Sequence, residues 1–231
     1  MSITENIHSI REAITEAAKS CNRDPKSIKL IAVSKRHPLI SIKEAMETGQ
    51  LLFGENYIQE AAEKIKAIPE QATFHFIGHI QSNKAKQAAE LFDMIETVDR
   101  YKLAKALNNH CKKLGKKLDV LIQVNIGNDP NKAGIAPEDT EELLKQFVSL
   151  KQLRPLGLMT IPLFSKDAET TRMYFKSLRL LGRTLSKQKL FATDSIELSM
   201  GMSHDFRIAI QEGATIIRVG TSIFGKRPDR S

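Results

Sequence analysis

The stretch LIAVSKRHP at residues 30–38 ends an apolar run on a lysine, which makes Lys35 the first candidate for covalent chemistry. Side chains alternate across a strand, so Ile31, Val33 and Lys35 share one face while Ala32 and Ser34 share the other. With Val33 inside a barrel, Lys35 projects into its mouth. An ammonium there loses hydration, and a neighbouring cation such as Arg36 favours the neutral amine, the form that captures a carbonyl as a Schiff base. The same spacing also suits a lysine that snorkels to solvent from a strand end.

A second stretch, ATIIRVGTSIFG at 214–225, carries an arginine on an equally apolar background. If Ile217 and Val219 pack on a helical layer, then Ile216, Arg218 and Gly220 face inward. An inward guanidinium keeps its charge and needs an acceptor, either a carboxylate of the protein or a ligand. Gly220 and Thr221 follow at once, and Ser199-Met200-Gly201-Met202-Ser203 lies on the preceding loop. Glycines that expose backbone N–H groups, hydroxyls beside them and the start of a short final helix are the parts of a phosphate cradle. Taken singly, such glycines also serve as turns, and Asn56 and Ser203 also suit helix N-caps. Taken together, the residues describe a lysine nucleophile, an anion site and an arginine between them.

These residues fall at the ends of eight expected strands, at 28–34, 51–53, 74–78, 94–98, 119–126, 154–161, 196–200 and 215–219. Helical patterns lie between them, near 39–48, 56–67, 81–91, 100–115, 137–150, 166–187 and 204–212. That alternation predicts βα units and a parallel sheet. Eight units without a linker composition predict a single α/β domain over 1–231, a closed (β/α)8 TIM barrel with an extra N-terminal helix at 2–20. Ile3, Ile7, Ile10 and Ile14 recur there at helical spacing, and Ser2 with Glu5 predicts a capping box. An open doubly wound sheet is the alternative topology. In a barrel, function gathers at the C-terminal strand ends, and phosphate commonly binds after strands seven and eight.

Composition narrows the class. With 41% hydrophobic and 27% charged residues, the chain reads as a globular protein without disorder. It contains no run near the roughly 20 apolar residues of a membrane span, and its amphipathic start does not read as a signal peptide. Cys21 and Cys111 are far apart, which suggests neither a disulfide framework nor a metal centre and fits a reducing cytoplasm. The net charge of +8 raises nucleic acid as a partner, but the lysines are dispersed. The densest group, Lys112-Lys113 and Lys116-Lys117, sits at an expected helix end, where cations complement the dipole.

Several long motifs in order resemble the YggS/PROSC family, the pyridoxal phosphate homeostasis proteins, whose barrel is similar to that of bacterial alanine racemase. They are AVSK at 32–35, FGENYIQEAAEK at 53–64, FHFIGHIQSNK at 74–84, VNIGNDPNKAGI at 124–135, GLMTIP at 157–162, LSMGMSHD at 198–205 and IRVGTSIFG at 217–225. The resemblance implies a fold-type III barrel that binds pyridoxal 5'-phosphate (PLP) as a Schiff base on Lys35. It implies Arg218 facing the pyridine nitrogen, and Ser199, Ser203, Gly220 and Thr221 around the phosphate. Asn56 would lie near the ring and its hydroxyl, with His79 on the same side. The implied role is cytoplasmic PLP (vitamin B6) homeostasis without substantial turnover, with apo PLP-dependent enzymes as recipients. The alternative is a PLP-dependent amino-acid racemase or lyase, which needs a second proton-transfer group opposite Lys35. Alanine racemases take theirs, a tyrosine, from an additional β domain for which the sequence after Gly225 leaves no length. Of Tyr57, Tyr101 and Tyr174, only Tyr57 lies in a motif near a strand end. Arg36-His37 departs from the family pattern, in which a threonine commonly follows the lysine.

Overall fold

The computed structural model describes residues 2–68 and 71–226. The apolar runs form eight parallel strands: β1 (Lys29–Val33), β2 (Leu52–Glu55), β3 (Thr73–Phe76), β4 (Met94–Val98), β5 (Leu118–Gln123), β6 (Leu153–Met159), β7 (Glu197–Ser199) and β8 (Ile216–Val219). Each pairs with the next, and β1 pairs with β8 through Lys29↔Ile216, Leu30↔Ile217, Ile31↔Arg218 and Ala32↔Val219, which closes the barrel. The open-sheet alternative is thereby overturned.

Parity along the strands sorts their side chains into two cores. Ile31, Val33, Ile77, Met94, Leu121, Met159 and Ile216 fill the barrel, while Leu30, Ala32, Phe53, Phe74, Ile217 and Val219 join the larger cluster between strands and helices. Both faces are buried, so the strands read as continuous apolar runs. Each Leu, Ile or Phe so buried contributes roughly 1.5–3 kcal/mol relative to exposure.

The helices of the outer layer are α1 (Ile3–Ser20), α2 (Leu39–Glu47), α3 (Ile58–Lys66), α4 (Ala85–Leu91), α5 (Tyr101–Lys113), α6 (Thr140–Gln146), α7 (Ala168–Lys187), α8 (Phe206–Gln211) and the single turn α9 (Thr221–Phe224). The capping box is present in α1: Ser2 Oγ accepts from the Glu5 N–H and Glu5 Oε2 from the Ser2 N–H. Two expected helices are shorter than their patterns. Residues 82–84 and 137–139 wind as 3₁₀ turns ahead of α4 and α6, and 147–149 does so after α6. The lysine cluster flanks the end of α5, where Gly115 turns the chain at φ 65°.

Closure demands close backbone approach between β6 and β7. A Cβ on Gly157 would lie 1.9 Å from the Glu197 carbonyl oxygen, so no side chain fits. We expect Gly157→Ala to lower unfolding stability by about 3 kcal/mol or more, because strand backbones rather than side chains must part. Gly115→Ala, left-handed but in open space, is expected to cost about 1 kcal/mol. Denaturant titration of the two variants distinguishes these outcomes.

Candidate functional site

At the tip of β1, strand parity turns Ser34 outward and Lys35 inward. The outward side is pinned by a buried network. Ser34 Oγ donates to Glu55 Oε1 at 2.7 Å, and Lys64 Nζ donates to the same oxygen at 2.7 Å, to the Ser34 carbonyl at 2.8 Å and to Glu60 Oε1 at 2.6 Å. The Arg36 N–H donates to Glu60 as well, in a left-handed turn at φ 63°. Both chain neighbours of Lys35 are therefore tethered from outside the barrel. Burial pushes the Glu55 carboxyl above its usual range, against the opposing charge and hydrogen bond of Lys64.

A second network crosses the barrel interior beneath the mouth. Arg218, 3% exposed, donates through Nη1 to Ser199 Oγ and through Nη2 to the Thr160 carbonyl at 2.7 Å. Ser199 Oγ donates in turn to Glu96 Oε2 at 2.5 Å, and His75 Nδ1 lies 2.7 Å from Glu96 Oε1. Burial works to raise the Glu96 carboxyl, but the His75 hydrogen bond and charge, with Arg218 and Ser199, outweigh it and hold Glu96 below the usual carboxylate range. Burial lowers the Arg218 guanidinium from its ordinary value, opposed by Glu96 and Asp205, yet a group so basic keeps its charge. The acceptor that an inward arginine requires is thus supplied by a carboxylate acting through a serine.

Above this layer a cavity opens at the C-terminal mouth, lined by Lys35, Asn56, Ser203, Arg218, Gly220 and Thr221 over the apolar side chains of Val33 and Ile77. Its polar residues come from four strand ends, those of β1, β2, β7 and β8, while Ile77 and Ile161 come from the ends of β3 and β6. Asn56 is held in place because Gly78 of the next strand end presses on it; a Cβ at 78 would stand 2.4 Å from the Asn56 carbonyl oxygen. The Asn56 Oδ1 is buried without a hydrogen-bond partner among the described residues. Neither Asn56 nor Ser203 is a helix N-cap; Tyr57 and Asp205 hold those positions for α3 and α8.

Two residues grouped with the site by sequence stand apart from this lining. Ser199 is wholly buried one layer down, between Glu96 and Arg218. His79 is half-exposed outside the cavity, with Nδ1 3.9 Å from Asp99. Tyr57 is half-exposed and also outside it.

The family model for the alanine racemase N-terminal domain matches residues 4–228. A pyridoxal phosphate homeostasis protein of Pasteurella multocida is 42% identical over 230 residues, covering 98% of each chain. The chain belongs to the pyridoxal phosphate homeostasis protein family. PipY of Synechococcus elongatus, solved both without PLP and with PLP bound, superposes with TM-scores of 0.87 and 0.84 at 40% identity, covering 97% of this chain and 100% of that one. Alanine racemase of Corynebacterium glutamicum, 16% identical with a TM-score of 0.72 over 62% of its length, shares the barrel fold.

In this member of the homeostasis family, the networks contain residues that the motifs did not single out. His75 and Glu96 are polar interruptions at inward parity in FHF and MIETV, and Lys64 takes the third position of the buried series Ile58, Ala61, Lys64 on α3. A charged residue at a core position is the signal that marks each. Because Glu96 is held low in the folded protein, its ionised form contributes stability above the unfolded value of about 4.3, lost as pH falls through the lower folded value. We expect Glu96→Gln to cost about 3 kcal/mol at pH 7 by leaving Arg218 uncompensated. Unfolding curves from pH 7 to pH 3 should show that difference narrowing once the wild-type carboxylate itself protonates.

Proposed function

We propose that this chain binds pyridoxal 5'-phosphate as a Schiff base on Lys35 and serves intracellular PLP homeostasis. The observation that carries the proposal is the convergence of an inward lysine, an asparagine, an arginine and a hydroxyl-and-glycine cradle from four strand ends on one cavity. The name of its relatives and the PLP-bound structure of PipY support the same ligand. The residues present fit it. Asn56 Oδ1 is a buried acceptor that still wants a donor, which the hydroxyl of the ring offers. Arg218 spends two of its five N–H donors on Ser199 and Thr160 and lines the cavity with the rest. Gly220 precedes α9 without any side-chain cap, leaving first-turn N–H groups for an anion beside the Thr221 and Ser203 hydroxyls.

In the proposed complex, Lys35 holds the cofactor covalently, Thr221, Gly220 and Ser203 hold its phosphate, and Arg218 donates a hydrogen bond to the ring nitrogen. Ser199 and Glu96 act one layer back by aiming Arg218. When bound, the cofactor supplies an aldehyde for condensation with amines and an electron-withdrawing ring. An arginine at the ring nitrogen donates a hydrogen bond without giving up a proton, which leaves that ring a weaker electron sink than a carboxylate partner would. Transamination is correspondingly disfavoured, and racemisation would need a second proton-transfer group opposite Lys35. The protein therefore acts as a carrier that limits free aldehyde and hands PLP to apo-enzymes in the cytoplasm, where its two free thiols suit a reducing medium.

Titration of purified protein with PLP is expected to produce an imine absorption band, and borohydride reduction followed by peptide mass analysis should locate the adduct on Lys35. A band unchanged in Lys35→Ala would overturn the assignment. Asn56→Ala is expected to weaken PLP retention about fivefold, as for one lost neutral hydrogen bond. Incubation with L-alanine in heavy water is expected to give no Lys35-dependent exchange of the α-proton, whereas such exchange would establish the racemase alternative.

A further inference from the structure

At the opposite end of the barrel, three arginines line a cleft of about 420 Å³. Arg179 and Arg183 come from α7 and Arg23 from the turn after α1, while Ile196 and Leu198, the outward residues flanking Glu197 of β7, form an apolar floor. The charge there is not balanced. Glu212 accepts from Arg172 Nη1 at 3.2 Å and from Arg179 Nη2 at 2.9 Å, so one carboxylate is shared by two guanidinium groups. Glu197, between Ile196 and Leu198, is engaged with Lys29 at 2.6 Å and with the Thr215 hydroxyl, and Asp24, beside Arg23 in sequence, accepts from the Lys26 N–H at 2.9 Å.

The three cleft arginines differ in what they touch. Arg23 donates to the Ile210 carbonyl at 2.7 Å and forms no ion pair among the described residues. Arg183 makes no hydrogen bond or ion pair among them, and the Nε of Arg179 is buried without a partner. With Arg172 and its second partner Glu169 included, four guanidinium groups face two carboxylates, which leaves a charge of +2 around the cleft. Position 213 helps create the space: Gly213 adopts φ 98°, and a Cβ there would lie 2.9 Å from Cδ of Arg179. A glycine thus lets the Arg179 stem cross the turn before β8.

We propose that this cleft binds a small phosphate-bearing molecule, separate from the Lys35 cavity. Guanidinium groups present paired N–H donors that match phosphate oxygens, and a dianion neutralises the excess charge. The orphaned Arg179 Nε supplies a donor that already lacks an acceptor, and the Ile196–Leu198 floor accepts a carbon body attached to the phosphate. The site lies behind β7 and β8, the strands whose far ends carry Ser203, Arg218 and Thr221.

The test is isothermal titration of the full-length protein with inorganic phosphate and with phenyl phosphate, at constant ionic strength set by sodium chloride. Both anions are expected to bind, and tighter binding of phenyl phosphate would identify an ester rather than free phosphate as the natural source. Arg183→Ala removes an exposed, unpartnered side chain and should leave folding intact while weakening binding about tenfold. As a second readout in the unaltered protein, the Nε–H resonance of Arg179 is expected to shift on titration. Absence of binding above the chloride control overturns the proposal. So does affinity unchanged by Arg183→Ala, because the anion would then be held elsewhere, including in the Lys35 cavity.

Discussion

A guanidinium enclosed in a barrel must be neutralised, and the interior of this protein is organised around that requirement. Arg218 replaces what would otherwise be an apolar layer, and its charge is met by Glu96 through Ser199, with His75 on the far oxygen. Removing solvent from two charges costs several kcal/mol per ion, which only multiple good hydrogen bonds offset. The arrangement contributes little as a source of stability. Its consequence is orientation: an arginine fixed by two acceptors has few rotamers left, and its remaining donors can face only the cavity above.

Lys35 is placed by the complementary device on the outer side of the same wall. Ser34, Glu55, Lys64 and Glu60 form a charged cluster under α3, and the backbone on both sides of Lys35 belongs to it. A flexible four-carbon side chain is hard to aim directly. Fixing the residues before and after it, so that parity sends it inward, restricts where its amine can reach. The two networks occupy opposite faces of the strands, so Lys35 and Arg218 are set by independent contacts.

The barrel also separates its two ends chemically. The C-terminal mouth combines a lysine, an arginine and hydroxyls over an apolar floor, whereas the N-terminal end beneath β7 and β8 carries arginines with too few carboxylates. Parallel strands make this separation possible, because all eight C-terminal ends lie on one side. The net charge of +8 is therefore not one diffuse property: some cations are spent inside the fold, others gather at a cleft, and many remain dispersed on helix surfaces.

Local pattern was enough for much of this. Eight apolar runs alternating with amphipathic segments specify βα units, and the period of two already assigns Val33, Lys35, Ile216 and Arg218 to the inner face, because those features depend only on neighbours in the chain. The capping box of Ser2 and Glu5 was legible for the same reason. Closure was legible only as a count of eight units, since the contact that makes it, the pairing of β1 with β8, joins segments almost two hundred residues apart. The division between Ser203, which reaches the cavity, and Ser199, which lies beneath it, was not legible: Ser199 ends β7 and Ser203 follows four residues later, and only the position of Glu96 across the barrel decides that Ser199 holds the arginine. Sequence determines which face a side chain takes; the depth it occupies and the partner it meets are set by strands that arrive from elsewhere in the chain.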